Sequence, residues 1–268
     1  MPDKQLARDV IRLCLGDLIL PRLSEANKIF YFRPSEYPSM LSPFREIEPL
    51  HKRDWMVLLR PGEIIFDIGA NIGFTVHRFF KLLGGNCKIW AFEPLPRNLK
   101  LLERNSKFLG EQVTIVRSAV GKSDGTALFR DNLRHGALSR LEELATPHPG
   151  KMWHEAKSIE VNMITIDSFV KAAGVHPTFI KLDVEGAGHW ALEGAHTVLS
   201  RHKPIVNCSF HSIEERQGVA RILKFHGYQG VSVGNNGDIR LCDPGDVINK
   251  SGYGNFVDPN DPRFTAGR

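Results

Sequence analysis

The sequence predicts an α/β fold, a mostly parallel seven-stranded sheet with helices on both faces, an inserted hairpin after the third strand and an antiparallel last strand. Three observations carry this. Short apolar runs alternate with stretches of helical period between residues 61 and 242. The first of these runs, 63–68, opens through a glycine-rich loop straight into a helical segment. An Asn-Gly pair at 236–237 then folds the two final runs into a hairpin, so the last strand runs against its neighbour.

Ahead of this pattern, residues 3–20 place Leu6, Val10, Ile11, Leu13, Cys14 and Leu18 at helical spacings, and Pro21 removes the next backbone donor. A docking helix is expected there. Residues 31–49 are rich in Pro, Ser and aromatics without a period and read as an irregular surface segment. A short helix over 50–59 leads to the turn at Pro61-Gly62. Residues 1–60 thus form an N-terminal extension.

The main domain, 61–242, runs as strand 63–68, helix 72–83, strand 87–92, helix 96–109 and strand 113–120. The alternation stops after Gly121, and two strand-like pieces, 126–130 and 158–163, flank a polar middle rich in His. This marks 121–163 as an inserted hairpin or flap. The alternation resumes with helix 165–173, strand 178–184, helix 188–200, strand 204–210, helix 213–226 and the final pair 228–233 and 238–242. From Asp243 to residue 268, Gly, Pro, Asn and Asp leave no period, which reads as a tail or an active-site cover.

With 42% hydrophobic residues in 268, the chain has material for one large core, and its composition excludes disorder. The net charge is +5, but the Lys and Arg residues are spread along the chain, so no nucleic-acid partner is expected. The four cysteines show no CxxC spacing and fit free thiols in a reducing compartment. The apolar stretch 13–20 is short and contains Asp17, so no membrane span is expected and the cytoplasm is the expected location.

Open α/β sheets bind ligands at the carboxyl ends of their strands, where the strand order reverses. The first strand ends there in DIGANIG, residues 67–73. Gly69 permits backbone geometry that a side chain forbids, Gly73 lets the next helix start close to the strand, and Asp67 puts a carboxylate at the loop mouth. Twenty positions beyond Gly73, Glu93 ends the second strand, where an acid can accept both hydroxyls of an adenosine ribose. A dinucleotide needs the middle glycine of GxGxxG for its pyrophosphate, and Asn71 stands in that place. S-adenosylmethionine has no pyrophosphate, and its amino-acid part can use polar groups such as Asp67 and Asn71. The substitution favours this donor over NAD. An NAD-dependent oxidoreductase on the same sheet is the first rival, and a non-catalytic protein that binds S-adenosylmethionine is the second.

DIGANIG, AFEP (91–94), SAVGKSDG (118–125), VNMITIDSF (161–169), IKLDVEGAG (180–188) and PIVNCSFH (204–211) together resemble the FkbM family of methyltransferases. The resemblance covers about residues 60–233, with IKLDVEG after AFEP as its most specific element. It implies a Rossmann-like class I methyltransferase sheet and S-adenosylmethionine as donor. It also implies O-methylation of a hydroxyl on a sugar, a polyketide or a related natural product or glycan. Carried over, Asp67, Gly69, Asn71 and Gly73 line the methionine and ribose end, Glu93 holds the ribose, and Ser118, Ala119 and Val120 border the adenine. One departure is GAGHW (186–190), where the family pattern more often has an acidic residue after Gly-Ala. It falls on the acceptor side.

Methyl transfer to oxygen requires alignment of the two reactants and removal of the hydroxyl proton. Asp183 and Glu185 emerge at the end of the fourth strand and, with Lys181, share one strand face if the strand extends that far; His211 emerges at the end of the fifth. Asp183 is the expected polar group near the methyl, with His211 or Glu185 as proton acceptor. Glu185 fits equally a carboxylate stabilising the next helix start, His211 a strand-end histidine held by hydrogen bonds, and Lys181 a partner for a neighbouring carboxylate. No divalent metal is expected, because two neighbouring carboxylates are a thin ligand set and no histidine spacing matches a metal motif. The acceptor is expected to meet residues 131–157, where Arg134, His135 and Trp153 interrupt the sheet pattern; the same residues also fit a solvated flap.

Overall fold

The computed structural model describes residues 18–24, 26–41, 54–131, 140–141, 143, 157–234, 238–247 and 252–265. The docking helix expected over 3–20 lies outside them up to residue 17, and Leu20 already belongs to a strand. Strand β1 (Leu20–Leu23) pairs antiparallel with β2 (Ile29–Phe32). In β2, Phe30 and Phe32 are buried against Ile72 and Leu101 while Ile29 is exposed, a period-two alternation that the aromatic composition of 31–49 concealed. The helix expected over 50–59 is a 3-10 turn at Asp54–Leu58.

The central sheet is built from β3 (Glu63–Ile68), β4 (Cys87–Phe92) and β5 (Val113–Val116), with α1 (Phe74–Leu82) and α2 (Pro96–Ser106) between them. Pro96 opens α2 where a missing backbone N–H costs nothing. The strand expected over 113–120 breaks after Val116. β6 (Ala119–Val120) leaves the central sheet and joins β7 (Gly125–Asp131), β8 (Arg140–Leu141) and β9 (Lys157–Ile164) in a second sheet of order β6-β9-β7-β8, in which β7 and β9 run antiparallel.

Next come α3 (Ile166–Ala173), β10 (Phe179–Leu182), α4 (Gly188–Glu193), α5 (His196–Arg201), β11 (Ile205–Ser209), α6 (Ile213–Phe225), β12 (Gln229–Val233) and β13 (Ile239–Cys242). Thr165 caps α3 by accepting from the Ser168 N–H, and Gly174 ends it in the left-handed region at φ 64°. The single helix expected over 188–200 is two. A side chain at Gly194 would overlap the carbonyl oxygen of Gly121, so the chain turns there, and Asp167 restarts the helix by accepting from the N–H groups of Thr197 and Val198.

The chain closes with α7 (Pro244–Val247), β14 (Tyr253–Val257) and α8 (Pro262–Thr265). β14 corrects the reading of 243–268 as patternless, since it sits between β11 and β12, antiparallel to both. The central sheet therefore has eight strands, not seven, in the order β13-β12-β14-β11-β10-β3-β4-β5. The physical reason is that all five residues of β14 are buried, so no alternation of apolar and polar residues exists to be read. Its Asn255 lies opposite Asn207 of β11 and accepts from its Nδ2 at 2.9 Å, a buried polar pair that matches the two strands in register.

The strands β3, β10 and β11 are almost continuously buried, as strands with helices on both faces must be. Alternate side chains feed two cores. Phe66 joins Phe92, Ile180 and Val206 on one face, while Ile65 joins Phe79, Ile89 and Phe179 on the other. The chain passes from β3 to β4 and β5 on one side and returns with β10 on the other, which opens a crevice above the carboxyl ends of β3 and β10. No helix among the described residues is long and apolar enough to cross a membrane.

Candidate active site

The loop after β3 stands on a buried ion pair. Asp67 is fully buried, and its Oδ1 lies 3.0 Å from the Nζ of Lys181, its register partner on β10, while Oδ2 accepts from Thr75 at 2.5 Å. An unpaired carboxylate there would cost several kcal/mol, on the order of 3–5, so Asp67 and Lys181 hold each other in place. Gly69 takes φ 82°, and a side chain at this position would overlap the Asp183 carbonyl, so the loops after β3 and β10 touch. Asn71 and Gly73 also have positive φ, 54° and 96°, and the helix α1 starts immediately after them.

Glu93 ends β4 with only 4% of its surface exposed. Its Oε1 accepts from the Leu95 N–H and from Asn98 Nδ2, and its Oε2 accepts from the Asn71 N–H at 3.0 Å. Burial pushes its pKa up to about 7, against the lowering effect of these hydrogen bonds. The carboxylate is thus fixed beneath the loop after β3.

A cavity opens here, lined by Gly69, Asn71, Glu93 and Asn98, by Ser118 and Ala119, and by Phe129 and Leu141 of the second sheet. Asp183 and Glu185 line its other side. Asp67, Gly73 and Lys181 do not line it; Lys181 is only 5% exposed.

β10 ends at Leu182, so Asp183 and Glu185 lie in the following turn rather than on one strand face with Lys181. Glu185 adopts φ 51° and Gly186 φ 108°, which swings the Glu185 side chain toward the end of β11. There His211 places Nε2 3.0 Å from Asp183 Oδ1 and Nδ1 3.4 Å from Glu185 Oε2. Loss of solvent opposes a charge on the ring, but the hydrogen bond to Asp183 and the charges of Glu185 and Asp183 raise its pKa to about 9. At neutral pH the ring therefore favours its protonated form, with Nε2 donating to Asp183 and Nδ1 near the Glu185 charge. One ligand atom from each of Asp183, Glu185 and His211 lies within 4.8 Å of the others, a geometry that can also take a cation.

His211 is itself held by Glu215 of α6, which is fully buried. Glu215 Oε2 accepts from the His211 N–H at 2.7 Å and Oε1 from the Gly188 N–H at 2.8 Å. One carboxylate thereby joins the end of β11 to the start of α4. A Cβ at Gly188, within the GAGHW departure, would lie 2.8 Å from Glu215 Oε1, so the close fit requires glycine. Glu215 was not among the expected site residues. Its signal was the spacing of Ser212 and Glu215, a capping box whose acid here reaches outward to its neighbours instead of back to the cap. Tyr37 was also missed: its hydroxyl donates to Asn71 Oδ1 at 2.5 Å from outside the alternating pattern. Arg134, His135 and Trp153 lie outside the described residues.

A cavity over a strand-end acid, at the point of reversed strand order, is the place where open α/β sheets take their ligands. The antiparallel β14 between β11 and β12 departs from the 3-2-1-4-5-6 order of dinucleotide sheets. The methyltransferase FkbM domain matches residues 67–233, more than half of the chain, and the chain belongs to that family. Membership in a methyltransferase family speaks against the NAD-dependent alternative.

Among curated proteins none matches the chain. Among solved structures it is similar to a methyltransferase FkbM from Methylobacillus flagellatus KT, with TM-score 0.46 and 22% identity over 68% of this chain and 44% of that one. This chain therefore spans less than half the length of that protein. It is also similar to an O-methyltransferase from Bacillus cereus in complex with SAH, with TM-score 0.44 and 12% identity over 83% and 86% of the two chains. A SAM-dependent O-methyltransferase from Thermotoga maritima gives TM-score 0.43 and 14% identity over 89% and 76%.

Proposed function

We propose that this protein transfers the methyl group of S-adenosylmethionine to a hydroxyl of a sugar, polyketide or related natural-product or glycan acceptor. The observation that carries the reading is one cavity lined by Gly69, Asn71 and Glu93 on one side and by Asp183 and Glu185 on the other. Glu93 would hold the donor's ribose, Ser118, Ala119, Phe129 and Leu141 would border its adenine, and the bound donor would supply an electrophilic methyl group.

The acceptor oxygen then attacks the methyl carbon in line, the carbon–sulfur bond breaks toward sulfur, and the sulfonium becomes a neutral thioether. Asp183 orients the acceptor hydroxyl and Glu185 takes its proton. His211 already carries a proton at neutral pH, so it serves as the cation that holds both carboxylates in place. Lys181 and Asp67 keep the strand ends in register beneath them, and Arg134, His135 and Trp153 are proposed to contact the acceptor.

Incubation with donor carrying a labelled methyl group and a panel of hydroxylated acceptors tests the reading. Label recovered as a methyl ether supports it. Label recovered only on nitrogen or carbon, or tight donor binding without transfer to any acceptor in cell extracts, would overturn it.

A further inference from the structure

We propose that Tyr37, which precedes the family domain, is a positioning residue of the donor site. It fixes the Asn71 amide so that Nδ2 presents its hydrogens to the carboxylate of the donor's amino-acid part. This rests on the reading of S-adenosylmethionine as donor.

Tyr37 donates its hydroxyl hydrogen to Asn71 Oδ1 at 2.5 Å, and burial with the neighbouring Glu36 carboxylate keeps that proton on the phenol. The Asn71 backbone N–H is engaged by Glu93, and its side-chain oxygen by Tyr37. Its two Nδ2 hydrogens have no partner among the described residues, and Asn71 lines the cavity. An amide with its oxygen engaged offers only donors to a ligand, and donors select an anionic oxygen. The nucleoside part of the donor is uncharged, so the amino-acid carboxylate is the matching group.

The segment carrying Tyr37 is built into the site. The Tyr37 ring meets Phe74 edge-on at 5.7 Å, Phe74 stacks on Phe30 at 4.6 Å, and Glu36 pairs with Arg97 of α2 at 3.0 Å. Asn105 completes the attachment. Its Oδ1 accepts from the Tyr31 N–H at 2.7 Å, and its Nδ2 donates to the carbonyls of Tyr31 at 3.0 Å and Ile72 at 2.7 Å, tying β2 directly to the donor loop. Residues before position 60 thereby set the geometry of a loop that the sequence presents as self-contained.

Two ligands separate this role from a merely structural one. S-adenosylhomocysteine carries the amino-acid part, whereas 5′-methylthioadenosine keeps adenine, ribose and sulfur but lacks it. Titration of the full chain is expected to show that Tyr37→Phe weakens S-adenosylhomocysteine about 10-fold, the value of one hydrogen bond to a charged group, and leaves 5′-methylthioadenosine unchanged. Should Tyr37→Phe unfold the chain, Asn71→Asp is the second variant. It keeps an acceptor for the phenol but replaces Nδ2 with a charged oxygen, and the same selective loss is expected. Equal weakening of both ligands, or of neither, overturns the proposal. Wild-type protein that binds neither ligand instead overturns the donor reading, and this proposal with it.

Discussion

His211 and Asp183 meet at 3.0 Å from the ends of two adjacent parallel strands, 28 residues apart in sequence, and the pair holds a proton well above neutral pH. The pH dependence follows by linkage. The folded pKa of His211 is about 9 against an ordinary 6.5, so the stability from this proton is fully present below pH 6.5 and is lost as pH rises through 9. Urea unfolding of wild type and His211→Gln across this range is expected to show a difference that shrinks as pH rises. A difference that grows with pH sinks the assignment.

Glu185→Gln keeps the size of the side chain at φ 51° and removes its capacity to take a proton. Turnover is expected to fall by roughly 10²- to 10⁴-fold, the range for a lost general base, with donor affinity unchanged. Stopped assays at saturating acceptor, beside donor titration, check this. Full turnover in the variant returns Glu185 to the role of a carboxylate at a helix start.

Glu93 gives a second pH signature. Its pKa of about 7 means that it ionises as pH rises through neutrality, and the ionised form is the better acceptor for two ribose hydroxyls. Donor affinity is expected to strengthen from pH 6 to pH 8, and Glu93→Gln to weaken it by about 10- to 100-fold while flattening that dependence. Calorimetric titration at several pH values measures both.

Gly69→Ala tests the contact between the two strand-end loops. A methyl group there meets the Asp183 carbonyl and must hold φ 82°, so the variant is expected to lose more than about 2 kcal/mol of stability. Urea midpoints report it. A neutral effect would mean that the loop after β10 moves aside freely, and that Asp183 is not held where the chemistry needs it.

Chelation addresses the cluster of Asp183, Glu185 and His211. The imidazolium already supplies positive charge between the two carboxylates, so exhaustive treatment with chelator is expected to leave turnover intact. Activity lost on chelation and restored by a divalent cation would show a metal in place of the His211 proton.

The geometry of the loop 67–73 and of the strand end at Glu93 was legible because these parts are close in the chain and constrained by backbone geometry. Glycines with positive φ at 69 and 73, and an acid at the tip of the next strand, are local requirements that residue type alone announces. The acceptor side was legible only as a set of candidates. Asp183, Glu185 and His211 could each be placed at a strand end, but their separation, and hence which of them holds the proton, depends on two strands lying side by side. Lys181 shows the same limit. Its position on β10 was readable, whereas its burial against Asp67, 114 residues away, was not.

By itself the sequence determined the alternation of strands and helices, the glycine turn after β3 and the place of Glu93 at the tip of the next strand, since each depends on period, residue type and short spacing. Tertiary structure alone decided that β14 enters the sheet from the end of the chain, that Glu215 ties His211 to α4, and that Tyr37 reaches Asn71 from 34 residues upstream. A strand buried on both faces has no alternation to read, and a hydrogen bond between distant residues leaves no period in the chain; both exist only once packing has brought the partners together.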